Sequence, residues 1–140
     1  MTSMLRIKAG DLLFLAAWEE EKAPKSCAAV RKLLPLKGKL IQARWSGEAA
    51  WISLDQLPLD IPYENATSYP ARGEIVVHPG SVSVKEILIP YGAAAFASKV
   101  GLLAGNHFAT IVRGQDKLAE LGRKVLWEGA QDVEITEANR

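Results

Sequence analysis

Lys39-Leu40-Ile41-Gln42-Ala43-Arg44-Trp45-Ser46-Gly47-Glu48-Ala49-Ala50-Trp51-Ile52 is the stretch whose reading decides the fold. Hydrophobic and polar residues alternate on both sides of Ser46-Gly47, and a period of two is the mark of a strand with two different faces. A two-residue turn at Ser46-Gly47 predicts a hairpin with Trp45 opposite Glu48, Arg44 opposite Ala49, Ala43 opposite Ala50 and Gln42 opposite Trp51. One face then carries Ile41, Ile52, Ala43 and Ala50, with Trp45 and Glu48 at its open end. The other carries Gln42, Arg44 and Trp51, where a guanidinium, an amide and an indole suit a flat or carboxylate-bearing ligand.

Upstream, Asp11 to Trp18 is a short apolar run that reads as a buried strand. Pro24 to Pro35 places Cys27, Val30 and Leu34 at helical spacing between two prolines, and Arg31 and Lys32 fall in the last turn, where cations meet the negative end of the helix dipole. Downstream, Asp55 to Arg72 holds three prolines among polar residues and reads as an irregular surface excursion. Gly73 to His78 and Val84 to Pro90 read as a second hairpin, Asn106 to Arg113 as a strand, and Asp116 to Gly122 as a short helix with Asp116 as N-cap. Asp132 to Thr136 is a final strand, and Ala93 to Ser98 fits strand or helical turn equally. Many short strands with two helices near the ends predict a closed antiparallel barrel or a sandwich, as one domain over residues 1–140.

Composition narrows the function. With 17 basic and 16 acidic residues the formal charge is +1, too balanced to concentrate nucleic acid or an anionic membrane. Cys27 is the single cysteine, which excludes an internal disulfide and fits a reducing compartment. The opening residues lack the order of a signal peptide, and no apolar run approaches the roughly 20 residues a bilayer needs, so a cytoplasmic protein is expected. His78 and His107 have no metal-ligand spacing, and the glycines form no phosphate-binding pattern; neither metal nor other cofactor is expected.

The candidate binding residues are Arg44, Trp45, Trp51, Tyr91 and Asn106, with Glu48 and His107 as the acid–base pair for any hydrolase- or lyase-type chemistry at an amide-like bond. Each has a structural alternative. Arg44 and Glu48 suit a solvated surface, the tryptophans suit a core, and His107 suits a bond to backbone. His78, before Pro79-Gly80, reads as a turn residue that satisfies local backbone. Cys27 falls on the buried face of its helix as a small hydrophobe.

The chain resembles known families at several strings. Pro24-Lys25-Ser26 followed by Val30 and Leu33 is similar to the first helix of cyclophilins, and the strand-helix-strand order from Asn106 to Thr136 is similar to the closing portion of that fold. Trp45-Ser46-Gly47-Glu48-Ala49, Pro90-Tyr91-Gly92, Gly105-Asn106-His107-Phe108-Ala109 and Leu126-Trp127-Glu128-Gly129-Ala130-Gln131 resemble a bacterial family of cyclophilin-like proteins known as a domain of unknown function. The resemblance implies a cyclophilin-like closed antiparallel barrel of about eight strands with two short helices, and no settled activity. Against the Phe-His-Arg string of isomerase cyclophilins only Arg44 matches, with Gln42 and Ala43 before it, which argues against peptidyl-prolyl isomerisation. Related barrels in oxoprolinase-type and allophanate-type systems supply a likeness of fold alone. The expected partner is a small polar metabolite bearing a carboxylate or amide, held at the barrel rim. The alternative is a non-catalytic subunit that forms a homo-oligomer or docks on a larger amide-metabolising enzyme through exposed tryptophans.

Overall fold

The computed structural model describes residues 3–139. Strand β1 (Ser3–Ala9) sends Leu5, Ile7 and Ala9 inward and turns at Gly10-Asp11 into β2 (Leu12–Trp18), which adds Phe14 and Ala16. Helix α1 (Pro24–Leu33) starts at a proline and buries Ser26, Cys27 and Val30. Then come β3 (Leu36–Gln42) and β4 (Gly47–Ser53), a two-residue strand β5 (Ala66–Thr67), β6 (Glu74–His78), and β7 (Glu86–Ala94). A small ribbon, β8 (Ala97–Ser98) with β9 (Gly101–Leu102), precedes β10 (Gly105–Arg113). A 3₁₀ turn at Gln115–Lys117 leads into α2 (Leu118–Arg123), which runs on as a π-turn over Lys124–Glu128, and β11 (Gln131–Asn139) ends the chain.

Eight strands close into a ring in the order β1-β11-β3-β4-β7-β6-β10-β2, every pairing antiparallel, with β2 returning to β1. The closed antiparallel barrel with two helices that the alternation predicts is thus the architecture, and closure leaves the ring without a free sheet edge. The interior is filled by inward residues of all eight ring strands, among them Leu5, Phe14, Leu40, Ile52, Ile75, Ile89 and Phe108. Both helices pack on this interior, α1 through Cys27 and Val30 and α2 through Leu118 and Leu121. Cys27 is fully buried, and burial pushes its thiol up to about 12, as expected of a small hydrophobe. Among the described residues no helix is long and apolar enough to cross a membrane.

A second apolar cluster lies on the outer face of the wall. Ala43, Ala49, Val76 and Leu88 alternate with inward-facing neighbours and are covered by Phe96 and Leu103 from the β8–β9 excursion. Residues one apart on β4, β6 and β7 therefore serve two different cores.

Three local expectations are corrected. The β3–β4 hairpin is not closed by a two-residue turn: Ile41 pairs with Trp51, Gln42 with Ala50, and the Ala43 N–H donates to the Ala49 carbonyl at 2.9 Å. The register is one residue off the expected one, which moves Ile41 and Ala43 to the face of Trp51 and Ala49 and leaves Gln42 beside Ala50. The cause is distant in sequence. Ser46 is nearly buried, its hydroxyl donating to the Ala97 carbonyl at 3.1 Å and accepting the Ala97 N–H at 3.0 Å, so the turn is fastened to the β8 excursion.

The second correction concerns α2, where Asp116 lies inside the 3₁₀ turn and makes no capping bond, and Gly122 lies within the helix. A Cβ on Gly122 would stand 2.2 Å from the ring of Tyr91, so this glycine permits close approach and does not end the helix. Third, the apolar run at Asp11 to Trp18 has a partner strand, β1, that the sequence reading left unassigned.

Candidate functional site

A cavity of about 360 Å³ opens on the outer face beside the second cluster, within the range of small-molecule sites. Ile41, Ala43, Trp51 and Val84 give it apolar walls, and Arg44, Trp45, Ser46, Ser98 and Lys99 stand around it. The Arg44 guanidinium lies 5.9 Å from the ring centroid of Trp45, which is half exposed. Neither Arg44 nor Lys99 makes an ion pair among the described residues. Cationic donors and indole faces at one opening are what a flat carboxylate requires.

Glu86 also lines this cavity and is only 6% exposed. It sits at the first position of β7, across from Ser53 of β4 and His78 of β6. Its carboxyl makes no hydrogen bond or ion pair among the described residues, and burial alone pushes its pKa up to about 7. A carboxyl that is half ionised near neutral pH suits proton transfer or the reception of a cation. His78, the partner of Glu86 on β6, is fully buried. Its Nδ1 donates to the Ala104 carbonyl at 2.9 Å, its ring meets Phe96 edge-on, and its Nε2 has no partner.

The structure brings Arg44, Trp45 and Trp51 together in this cavity and places the other sequence candidates elsewhere. Glu48 and Tyr91 border a separate, more open hollow with Gln42, Arg123 and Trp127. There Glu48 Oε1 accepts the Ala93 N–H at 2.8 Å, inside the irregular register between β4 and β7, and the Tyr91 hydroxyl donates to Gln42 Oε1 at 2.6 Å. Both side chains fasten strands. Burial, with a smaller contribution from the Glu48 charge, holds the Tyr91 hydroxyl above its ordinary pKa.

Asn106 and His107 occupy a third place, on β10 near the start of α1. Asn106 is fully buried, donating to the Ser26 hydroxyl and the Pro62 carbonyl, each at 2.9 Å, and accepting the Glu64 N–H at 3.1 Å. Glu64 in turn accepts from the Ser26 N–H at 2.6 Å and the Ser26 hydroxyl at 2.9 Å, capping a helix whose own N-cap, Ala23, has no acceptor side chain. The Thr110 hydroxyl donates to Glu19 at 2.7 Å and accepts from His107 Nε2 at 2.7 Å. These bonds tie the 55–72 excursion and the β2–α1 connection to the barrel.

The expected single pocket is therefore divided among three sites. Glu48 and His107 share neither a cavity nor a hydrogen-bonding partner, so they do not meet as an acid–base pair. The corrected hairpin register and the separate course of β10 produce this division. Glu86 was missed because the sequence shows only one acidic residue opening an apolar strand; its depth depends on the excursions that cover that strand's outer face. The signal that was available is the order of Glu86 followed by Ile87-Leu88-Ile89, a charge at a position the alternation assigns to a covered wall.

No curated protein matches the sequence. Solved structures share the fold, among them the following two. One is a structure of McbB in complex with tryptophan, 18% identical, with a TM-score of 0.67, covering 94% of this chain and 44% of McbB. The other is the solution structure of the hypothetical protein AF2241 from Archaeoglobus fulgidus, 20% identical, with a TM-score of 0.65, covering 96% of this chain and 94% of that one. The chain thus spans less than half the length of McbB. The family described as "Protein of unknown function (DUF3830)" matches residues 5–137, nearly the whole chain, and the protein belongs to that family.

Proposed function

We propose that the protein binds a small carboxylate-bearing molecule with a flat apolar body in the outer-face cavity of its cyclophilin-like barrel. Arg44 holds the carboxylate in a forked contact, Lys99 adds charge, and Trp45 and Trp51 meet the body of the ligand. The observation that carries this reading is two cations, without ion pairs among the described residues, beside two indoles at one cavity of ligand size. A similar fold has been solved with tryptophan, a small aromatic molecule with these parts, which supports the reading at the level of fold.

Calorimetric titration with indole-3-propionate tests it. Binding to the wild type and at least a tenfold loss in Arg44→Ala, with an unchanged melting temperature, is the expected result. Absence of binding at millimolar probe, or equal affinity in the variant, refutes it. A second reading, an interface with another copy or a larger enzyme, draws on Trp127 and Leu126, 78% and 52% exposed beside the other hollow. A solution mass above that of one chain, lowered by Trp127→Ser, favours that reading.

A further inference from the structure

We infer that Glu86 receives a basic nitrogen of the ligand, so that this cavity takes zwitterions of the amino-acid class and couples their binding to a proton. The inference rests on the carboxylate reading above and deepens it. Glu86 is a nearly buried residue whose carboxyl opens on the cavity, and among the described residues no cation or donor bonds to it. A buried carboxylate of that kind is normally paired or protonated, because leaving it charged and alone in an apolar wall is costly. The missing partner is the ligand's to supply: an ammonium group provides charge and N–H donors at a spot where the described residues provide neither.

The charged and titratable groups around Glu86 are consistent with this division. From β6 the facing group is His78, whose Nδ1 is committed to Ala104. From β4 the facing residue is Ser53, which carries no charge. Lys85, the preceding residue, turns away and donates to the Leu57 carbonyl at 2.7 Å. Arg44 and Lys99 border the same cavity from the turn after β3 and from the β8–β9 ribbon, and the carboxylate end of the ligand engages them. One cavity thus presents a cationic side and an anionic side to one small molecule.

The proton balance follows. Free Glu86 is largely protonated below about pH 7. When an ammonium ligand binds, Glu86 gives its proton to solvent and remains ionised against the ammonium, which keeps its own. Cation affinity therefore rises with pH up to about 7, by as much as tenfold per pH unit, and levels off above it.

Two half-ligands separate the sides. Tryptamine carries the amine without the carboxylate, and indole-3-propionate the reverse. At pH 8, Glu86→Gln is expected to weaken tryptamine at least tenfold and to strengthen indole-3-propionate, because an anion opposite the ligand's anion is gone. Wild-type tryptamine titrations at pH 6 in two buffers of different ionisation enthalpy should show release of close to one proton, a readout that needs no variant. Tryptamine affinity flat from pH 5.5 to 8, or untouched in Glu86→Gln, overturns the inference. If indole-3-propionate binds through Arg44 while tryptamine does not bind, the carboxylate site stands and the amine site falls. If neither probe binds, both fall.

Discussion

Replacing Glu86 by glutamine should make the protein more stable at alkaline pH and nearly neutral in effect at acid pH. On folding, the carboxyl moves from an ordinary 4.5 to about 7, driven by burial. Between those values the folded chain keeps a proton that the unfolded chain has lost, so folding becomes less favourable as pH climbs through the window. Below about 4.5 both states are protonated and nothing is lost. Above 7 both are ionised, and the full cost of a buried lone charge is present. At about 1.4 kcal/mol per pH unit, the gap amounts to about 3 kcal/mol at pH 8 and falls below about 1 kcal/mol at pH 5. Every other titrating group is common to the two proteins, so the difference between their stability curves isolates this one. Urea unfolding of wild type and Glu86→Gln at several pH values from 5 to 8 reads it directly. The variant's relative stability should grow by roughly 2 kcal/mol over that range. Parallel curves would refute the argument, since they would mean that the carboxyl titrates alike in the folded and unfolded chains.

Two further outcomes follow from the packing. Gly122→Ala should destabilise the protein by about 1–3 kcal/mol, although alanine is the better helix former, because its Cβ would stand 2.2 Å from the Tyr91 ring; a thermal melt at or above wild type would show that the ring can step aside. Glu64→Ala removes the acceptor of the Ser26 N–H and should cost about 1–2 kcal/mol, with faster hydrogen exchange at the first turn of α1; unchanged exchange there would show that the cap contributes nothing.

The elements most legible in the sequence are those whose signals are local. The prolines and helical spacing predict α1 between Pro24 and Pro35, where the helix runs over Pro24–Leu33 with Leu34 as an extended C-cap, and runs of strand character find β6, β7, β10 and β11. Barrel closure is a non-local event, yet the count of short strands points to it. The hairpin register is not legible locally because Ser46 is held by Ala97, a residue 51 positions away that no local pattern announces. The candidate site divides along the same line. Arg44, Trp45 and Trp51 belong to one hairpin, so their nearness is legible, but the expected register sets Trp45 on the other face, and they meet in one cavity because Arg44 and Trp45 lie in the loop after β3 and Trp51 turns to the outer face. Asn106 and His107 look like ligand residues from their types alone, but Asn106 is held by Ser26 and Glu64 from distant elements, and His107 bonds Thr110 on its own strand, whose hydroxyl donates to the distant Glu19. Glu86 offers only a weak local signal, a charge opening the apolar run Ile87-Leu88-Ile89, and its place on a cavity wall comes from the tertiary fold.

The alternation of β7 has an evolutionary consequence. Its odd-numbered residues Ile87 and Ile89 feed the interior, while even-numbered Glu86 and Leu88 face the outer cavity and its neighbouring cluster. On β4 the parity reverses, with Ala50 and Ile52 inside and Ala49 and Trp51 outside. Point substitutions of one parity can therefore change the lining of the outer cavity while the barrel filling is left alone. A single-residue insertion or deletion in either strand exchanges the two sets at once, so innovation here should proceed by replacement in the strands and by length change only in the excursions.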